Sequence, residues 1–151
     1  MTINLICVGN LKEKFSRDEQ AEYLKRLSAF CKLEICEIKE QNHLENPLLI
    51  VEKEGEEIIK KIKGYCFLCD IKSKQYSSEK FAEKISGCMQ ENSTITFIVG
   101  GSYGVSEKVK AAANEKISFS EMTFPHNLFR IMLLEQIYRA FTILNGKSYH
   151  K

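Results

Sequence analysis

The chain has 151 residues, of which 44% are hydrophobic and 28% charged, and its formal net charge is only +2. This composition excludes disordered and fibrous proteins, and the length suits one domain with a sizeable core. The small net charge provides little general attraction to nucleic acid, although residues 100–151 carry 7 basic and only 4 acidic side chains. We therefore expect a single domain over residues 1–151, completed by a partner subunit if its substrate is large.

The six cysteines lack the spacing of a zinc site, and the only close pair, Cys66 and Cys69, falls in an apolar run typical of a buried strand. There is no secretory leader and no run of about 18 apolar residues. We therefore expect a cytoplasmic protein without membrane contact, disulfides or bound metal, and with all six thiols in the core. The other four cysteines are Cys7, Cys31, Cys36 and Cys88.

Short apolar runs alternate with helical patterns through the first two thirds of the chain. The predicted elements are a strand over 3–9, a helix over 18–30, a strand over 32–38, a helix over 49–62 opened by Asn46-Pro47, a strand over 65–70, a helix over 77–90 and a strand over 94–99. The continuous apolar character of 65–70 places that strand near the centre of the sheet. This order predicts an α/β fold with a mainly parallel sheet flanked by helices.

A glycine-rich segment, Gly100-Gly101-Ser102-Tyr103-Gly104, follows the strand over 94–99 and precedes a predicted helix over 106–115. In parallel sheets, ligands bind at the carboxyl ends of strands, where glycine lets a ligand approach the backbone. A tight turn that needs positive φ is the alternative interpretation. The spacing matches neither the dinucleotide fingerprint nor the phosphate loop, which argues against nicotinamide and ATP chemistry.

The last third of the chain predicts a strand over 116–120, an irregular segment over 121–125 and a helix over 126–145. Apolar residues occupy nearly all sides of this helix, far more than one face of about 100°. We therefore expect one face to pack on the sheet and another on a partner subunit, most simply in a homodimer.

The chain ends in Tyr149-His150-Lys151, shortly after a predicted helix C-cap at Gly146. A stacking ring, a titratable imidazole and a cation are suited to an RNA base and phosphate. A solvated basic tail is the alternative interpretation.

Four segments, in this order, resemble the RlmH family of small ribosomal RNA methyltransferases in the SPOUT superfamily: residues 97–104, 122–126, 134–141 and 149–151. The resemblance extends over the whole chain and implies an α/β-knot fold with a carboxyl-terminal trefoil knot. It further implies a homodimer that transfers a methyl group from S-adenosylmethionine to a ring nitrogen of a pseudouridine in 23S rRNA. The chain departs from the family pattern in the loop over 70–74, which lacks a glycine, and in its terminal Lys151.

The resemblance also implies which residues form the site. The cofactor contacts carried over are Leu68, Gly100, Phe119, Ser120, Glu121, Met122, Thr123 and Phe124. The target ring nitrogen carries a proton, so a general base is needed. His150 is the first candidate, with Tyr149 and Lys151 holding the nucleobase and the RNA backbone. His126 is the second candidate, although a helix-start histidine satisfied by local hydrogen bonds is an equal alternative.

Two arginines on the predicted long helix, Arg130 and Arg139, are candidates for contacts with phosphate or with the partner subunit. Arg139 follows Glu135 by four residues, so a helical ion pair is an equally good interpretation. The low net charge suggests that the substrate is recognised by shape in the assembled ribosome rather than as free RNA. Two other functions stay open: a knotted methyltransferase acting on transfer RNA, and an RNA-binding dimer without catalysis.

Overall fold

The computed structural model describes residues 1–151 and contains five strands and five helices. In chain order these are β1 (Thr2–Val8), α1 (Lys14–Leu27), β2 (Lys32–Ile38), α2 (Pro47–Lys61), β3 (Tyr65–Gln75), α3 (Ser78–Glu91), β4 (Thr94–Val99), α4 (Glu107–Ala112), β5 (Glu115–Ser118) and α5 (His126–Leu144). All neighbouring strands are parallel, in the order β2-β1-β4-β3-β5. The predicted α/β class with a parallel sheet flanked by helices is confirmed. The prediction placed β3 near the centre, and β3 is an interior strand beside the central β4.

Two hydrophobic cores lie on opposite faces of the sheet because successive strand residues point to opposite sides. Phe67, Phe97 and Leu5 belong to the larger core, which also contains buried residues of α1, α3 and α5. Ile6 and Ile98, one residue further along their strands, belong to a smaller core covered by α2 and α4. Helix α5 therefore lies in the same layer as α1 and α3.

Local sequence signals account for most of the element boundaries. Helices α2, α3 and α4 each begin after a residue whose side chain accepts a backbone N–H, namely Asn46, Ser77 and Ser106. The predicted start of α1 at residue 18 was wrong, since the helix begins at Lys14, where the sequence lacks the apolar spacing of the later turns. None of the helices is both long and apolar enough to span a bilayer.

The predicted end of α4 at Glu115 was also wrong, because tertiary pairing ends the helix at Ala112. Asn114 pairs with the first part of β3: its backbone N–H donates to the Cys66 carbonyl at 2.9 Å and its side-chain oxygen accepts the Cys66 N–H at 2.8 Å. Glu115 therefore starts β5 instead of ending the helix. These bonds stabilise β5 at the edge of the sheet.

Strand β3 is longer than predicted and contains a bulge. Ile117 of β5 pairs with both Cys69 and Lys74, so residues 70–73 are displaced from the ladder. The Glu115 carboxylate accepts hydrogen bonds from Tyr65, before the bulge, and Tyr76, after it, and forms an ion pair of 2.7 Å with Lys84. We call these four residues the Glu115 cluster; it fixes both ends of the bulge.

All six cysteines are free thiols, as predicted, and they lie in or against the two cores. Burial raises the pKa of Cys66 to about 12, so this thiol is protonated at neutral pH. Burial likewise raises the pKa of Cys69. A protonated buried thiol is a packing group rather than a nucleophile.

Helix α5 is buried more completely within the single chain than the sequence indicated. It packs against α1 and α3 as well as on the sheet, and Leu133, Leu134 and Ile137 are fully buried. Much of its all-round apolar character therefore serves this chain's own core. The exposed apolar side chains lie at its two ends, Leu128 at 50% exposure and Leu144 at 38%.

Arg130, in the second turn of α5, is the largest fully buried side chain. Its guanidinium donates to the Gly9 carbonyl at 2.8 Å, to Glu37 at 3.2 Å and to Gln20 at 3.3 Å. These partners lie just after β1, in β2 and in α1. The arginine therefore contacts this chain's own strand ends rather than an exposed phosphate site.

We expect Arg130→Met to lower the free energy of unfolding by about 3 kcal/mol, because it leaves the buried Gly9 carbonyl without its donor and removes the hydrogen bonds to Glu37 and Gln20. Urea denaturation followed by circular dichroism measures this loss. As a matched control, Lys14→Met removes the exposed Lys14–Asp18 ion pair and should leave the urea midpoint unchanged. Equal midpoints for Arg130→Met and the unmodified protein would contradict the structural role.

Candidate functional site

A cavity of about 330 Å³ lies at the carboxyl ends of the strands. Its walls come from three places in the sequence: the end of β3 with its bulge (69–71), the glycine loop after β4 (100–105), and the chain from the end of β5 to the start of α5 (117–126). This is the edge of a parallel sheet where ligands bind, and the volume falls in the range of small-molecule sites.

Most of the residues predicted to bind a cofactor line this cavity. They are Gly100, Phe119, Ser120, Met122, Thr123 and Phe124. Leu68 is not in the lining; it is fully buried, and the next residue, Cys69, forms that part of the wall. Glu121 does not line the cavity either. Asp70 and Ile71, in the segment where the chain departs from the family pattern, also line the cavity although they were not among the predicted cofactor contacts, and both belong to the bulge.

The irregular segment over 119–125 offers backbone groups to a ligand. Within this segment only Met122 donates its backbone N–H inside the chain, to the Ser120 hydroxyl at 3.0 Å. The rings of Phe119 and Phe129 pack with their centroids 4.8 Å apart at the cavity wall. Free amides beside apolar rings suit a flat, polar-edged group such as adenine, so the residues present fit an adenosyl ligand.

The glycine loop satisfies both interpretations of its sequence. Gly104 has a φ of +77°, which is the tight-turn requirement, and its N–H donates to the Gly101 carbonyl at 3.1 Å. A Cβ at Gly100 would lie 2.9 Å from Val105 Cγ1 and 3.1 Å from the Gly104 carbonyl oxygen. The loop is therefore a compact turn that also forms one wall of the cavity.

His126 lines the same cavity, where α5 begins. Its Nε2 lies 3.4 Å from Glu40 Oε1, a residue that follows β2. Both side chains are about one quarter exposed. Of the four predicted catalytic residues, His126 is the one that this chain places beside its own cavity.

The terminal tripeptide Tyr149-His150-Lys151 lies away from that cavity and contacts α3 and α5. His150 Nε2 is 2.7 Å from Glu79 Oε1, and its Nδ1 is 3.1 Å from Arg139 Nη1. The Tyr149 hydroxyl donates to Glu135 at 3.0 Å. Lys151 is exposed.

These contacts fix the tautomer of His150. A guanidinium only donates hydrogen bonds, so His150 Nδ1 accepts from Arg139 and Nε2 carries the proton that is donated to Glu79. Both ring nitrogens are engaged, which leaves no free lone pair for proton abstraction in this arrangement. Arg139 also forms an ion pair of 2.6 Å with Glu135, four residues earlier in α5, which is the helical pair predicted as one interpretation of this spacing.

A second cavity of about 380 Å³ lies between β5, α3 and α5 and shares Phe119 and Phe124 with the first. Glu135, which binds Tyr149, is in its lining, and so is Ser78, the neighbour of Glu79. The hydroxyl of Ser78 donates to the Gln136 side chain at 2.8 Å across this space. The terminal tripeptide therefore lies beside the second cavity.

Comparison with known proteins agrees with this architecture. The family described as "Predicted SPOUT methyltransferase" matches residues 1–150. The chain is 51% identical, over the full length of both proteins, to the ribosomal RNA large subunit methyltransferase H of Clostridium botulinum (strain Kyoto / Type A2). It is 50% identical, again over the full length of both, to the protein of that name from Clostridium acetobutylicum.

A solved structure described as a candidate RNA methyltransferase of the TrmH family from Porphyromonas gingivalis covers 88% of this chain and 58% of its own, with 8% identity and a TM-score of 0.43. That likeness is too weak to carry an argument. The full-length family match does carry one: the chain belongs to the SPOUT methyltransferase family. Within that family, its full-length relatives place it in the RlmH group.

The contact between His150 and Glu79 predicts an unusual titration. The hydrogen bond from His150 lowers the pKa of Glu79 from 4.5 to about 2. Because the folded state lowers this pKa, the contact contributes stability above about pH 4.5 and loses it as the pH falls towards 2. We expect carboxyl-carbon NMR to give a Glu79 midpoint near 2 in the unmodified protein.

The matched variants separate the tail contact from other causes. His150→Asn should return the Glu79 midpoint towards 4.5, whereas His43→Asn, at an exposed histidine, should leave it unchanged. A midpoint that is the same in the His150 variant and the unmodified protein would show that the tail is not held by Glu79.

Proposed function

We propose that this protein is an S-adenosylmethionine-dependent methyltransferase that modifies a ring nitrogen of a pseudouridine in the 23S rRNA of assembled ribosomes, in the cytoplasm. The observation that carries the proposal is the cavity at the strand ends, in which residues from the glycine loop and from 119–124 come together. Support also comes from the names of the full-length relatives, which are ribosomal RNA large subunit methyltransferases.

The cavity residues account for cofactor binding. The backbone amides of 119–124 and the rings of Phe119 and Phe124 would hold the adenosyl group, and Gly100 keeps the opposite wall free of a side chain. S-adenosylmethionine supplies the methyl group: a nitrogen–carbon bond forms while the sulfur–carbon bond breaks, and that bond's electron pair stays on sulfur. The protein's own contribution is to position the reactants and to accept the proton of the ring nitrogen.

The proposal includes a homodimer and a carboxyl-terminal trefoil knot. Tyr23, Tyr138 and Tyr149 form a half-buried aromatic patch between α1 and α5, with Arg139 stacked 4.8 Å from the Tyr149 ring. Tyrosine and arginine are enriched at protein interfaces, which favours this patch as the surface for a second copy. For the knot, support comes from the path of the chain after β5. Residues 119–125 lead from this edge strand to α5, whose Arg130 contacts Gly9 just after β1.

Activity measurements test the substrate. We expect the purified protein to transfer radiolabelled methyl groups to ribosomes from cells that lack it, with little transfer to free 23S rRNA or to transfer RNA. A net charge of +2 gives weak affinity for free RNA, so the assembled particle must supply the shape that is recognised. Preferential methylation of transfer RNA would instead favour the alternative substrate. Cofactor binding by calorimetry without any transfer would favour an RNA-binding dimer.

We further propose that the terminal tripeptide acts at the cofactor cavity of the opposite subunit. Mixed dimers test this: one subunit lacks residues 149–151, and the other carries Gly100→Val, whose side chain collides with Val105 and the Gly104 carbonyl and so displaces the glycine loop from the cavity wall. If the tail acts across the interface, one of the two sites keeps both functions and about half of the activity should return.

Two measurements accompany the mixed dimers. The tail-deleted homodimer should bind S-adenosylmethionine normally but transfer no methyl groups, and the Gly100→Val homodimer should not bind it. Native mass spectrometry, which resolves the mass difference of the deleted tripeptide, verifies that mixed dimers have formed. Verified mixed dimers without activity would refute tail sharing between subunits.

A further inference from the structure

We propose that Glu40 is a positioning residue for His126, and that His126 so oriented is the proton acceptor of the methyl transfer. This inference rests on the proposed function. His126 is the first residue of α5 and lines the cofactor cavity. Its Nε2 faces Glu40 Oε1 at 3.4 Å, at a place where the chain brings the end of β2 against the start of α5.

The carboxylate decides which nitrogen is available. A carboxylate oxygen 3.4 Å from Nε2, at ion-pair distance without a formed hydrogen bond, favours by its charge the tautomer with the proton on Nε2, which leaves the lone pair of Nδ1 free. The proton of the target ring nitrogen would move to Nδ1, and the electron pair of that N–H bond would stay on the ring nitrogen as the nucleophile. The imidazolium that results carries a positive charge, which Glu40 offsets.

The position of His126 explains why a carboxylate is needed there. The first turn of a helix carries partial positive charge from its free backbone N–H groups, which disfavours an imidazolium. Glu40 opposes this effect from outside the helix. The other candidate base, His150, has both ring nitrogens bound, by Arg139 and Glu79, so His126 is the better placed of the two.

Gly9 provides a second, independent observation. A Cβ at this position would lie 2.5 Å from Glu40 Oε1, and the backbone there has a φ of +86°. A side chain at residue 9 would therefore displace the carboxylate from its place beside His126, and the positive φ independently favours glycine there. The same residue's carbonyl accepts from Arg130, so Gly9 connects the carboxylate to the rest of the α5 attachment.

Other charged and titratable groups surround the pair, and any pH dependence includes them. They come from β2, α2, α4, the end of β3 and α5 itself: Glu37, Glu54, Lys110, Cys69, Asp70 and Arg130. Burial raises the pKa of Glu54. Glu40 also contributes to the raised pKa of Glu54, so Glu40→Gln changes the titration of Glu54 as well as the surroundings of His126, and Glu40→Asp, which keeps the charge, is the comparison that holds this contribution constant.

The experiment compares Glu40→Gln with Glu45→Gln, which removes the same charge from an exposed neighbour. Methyl transfer to ribosomes and calorimetric binding of S-adenosylmethionine are measured for the full chain. We expect Glu40→Gln to lower kcat about tenfold or more, with the cofactor Kd within about twofold of the unmodified protein. Glu45→Gln should change neither value.

The pH dependence distinguishes positioning from a merely structural role. At about pH 9, hydroxide increasingly removes the ring proton without a base, so the kcat of Glu40→Gln should approach that of the unmodified protein. His126→Asn should lower kcat about 100-fold at neutral pH, and its kcat should likewise rise towards that of the unmodified protein at about pH 9. Glu40→Asp, which keeps the charge, should have a kcat between those of Glu40→Gln and the unmodified protein. Gly9→Ala, which displaces the Glu40 carboxylate, should lower kcat as Glu40→Gln does.

Three results overturn the inference. Unchanged kcat in Glu40→Gln excludes a role in the reaction, and parallel loss of kcat and cofactor affinity without recovery at alkaline pH leaves only a structural role. If the unmodified protein transfers no methyl group to RNA, the proposed function fails and the inference fails with it. Thermal denaturation of each variant confirms that the isosteric glutamine has not unfolded the chain.

Discussion

The buried guanidinium of Arg130 is the interaction on which the functional end of this protein depends. A buried charge must be paired, and the two terminal nitrogens of this guanidinium reach their acceptors only when α5 lies against the ends of β1 and β2. That requirement fixes the start of α5, and with it His126 and Phe129, at the cavity beyond the strand ends. A hydrophobic contact would allow the helix to slide, whereas hydrogen bonds to a carbonyl and a carboxylate specify its position.

The remaining walls of the cavity are held by equally specific polar contacts. The Glu115 cluster fixes both ends of the β3 bulge. Partial burial alone would raise the pKa of Glu115, but the hydrogen bonds from Lys84, Tyr76 and Tyr65 lower this pKa overall. Asn114 pairs β5 to the start of β3. The bulge of β3 and the start of β5 are thus attached to the regular sheet by side chains that accept backbone or phenolic hydrogens.

The sequence was sufficient wherever local pattern and packing agree. Alternation gave β2 its observed limits, a continuous β-branched run did the same for β4, and the glycine loop was placed at the strand end where it lies. The failures have tertiary causes: the polar residues of 70–74 look like a loop but continue β3 past a bulge, and Asn114 ends α4 by pairing with Cys66. The contact of Glu40 with the cavity could not be predicted, because the sequence does not show that the residue after β2 will lie against His126 at the start of α5.

The Glu115 cluster also has an evolutionary consequence. Because Tyr65 and Tyr76 bind one carboxylate from the two sides of the bulge, the displaced residues 70–73 can change in number and kind without moving the register of β5. The bulge is therefore a position where related enzymes can diverge in sequence and length while the catalytic frame is inherited intact. It also offers a place to attach a spectroscopic reporter beside the cavity, on residues that do not pair with β5.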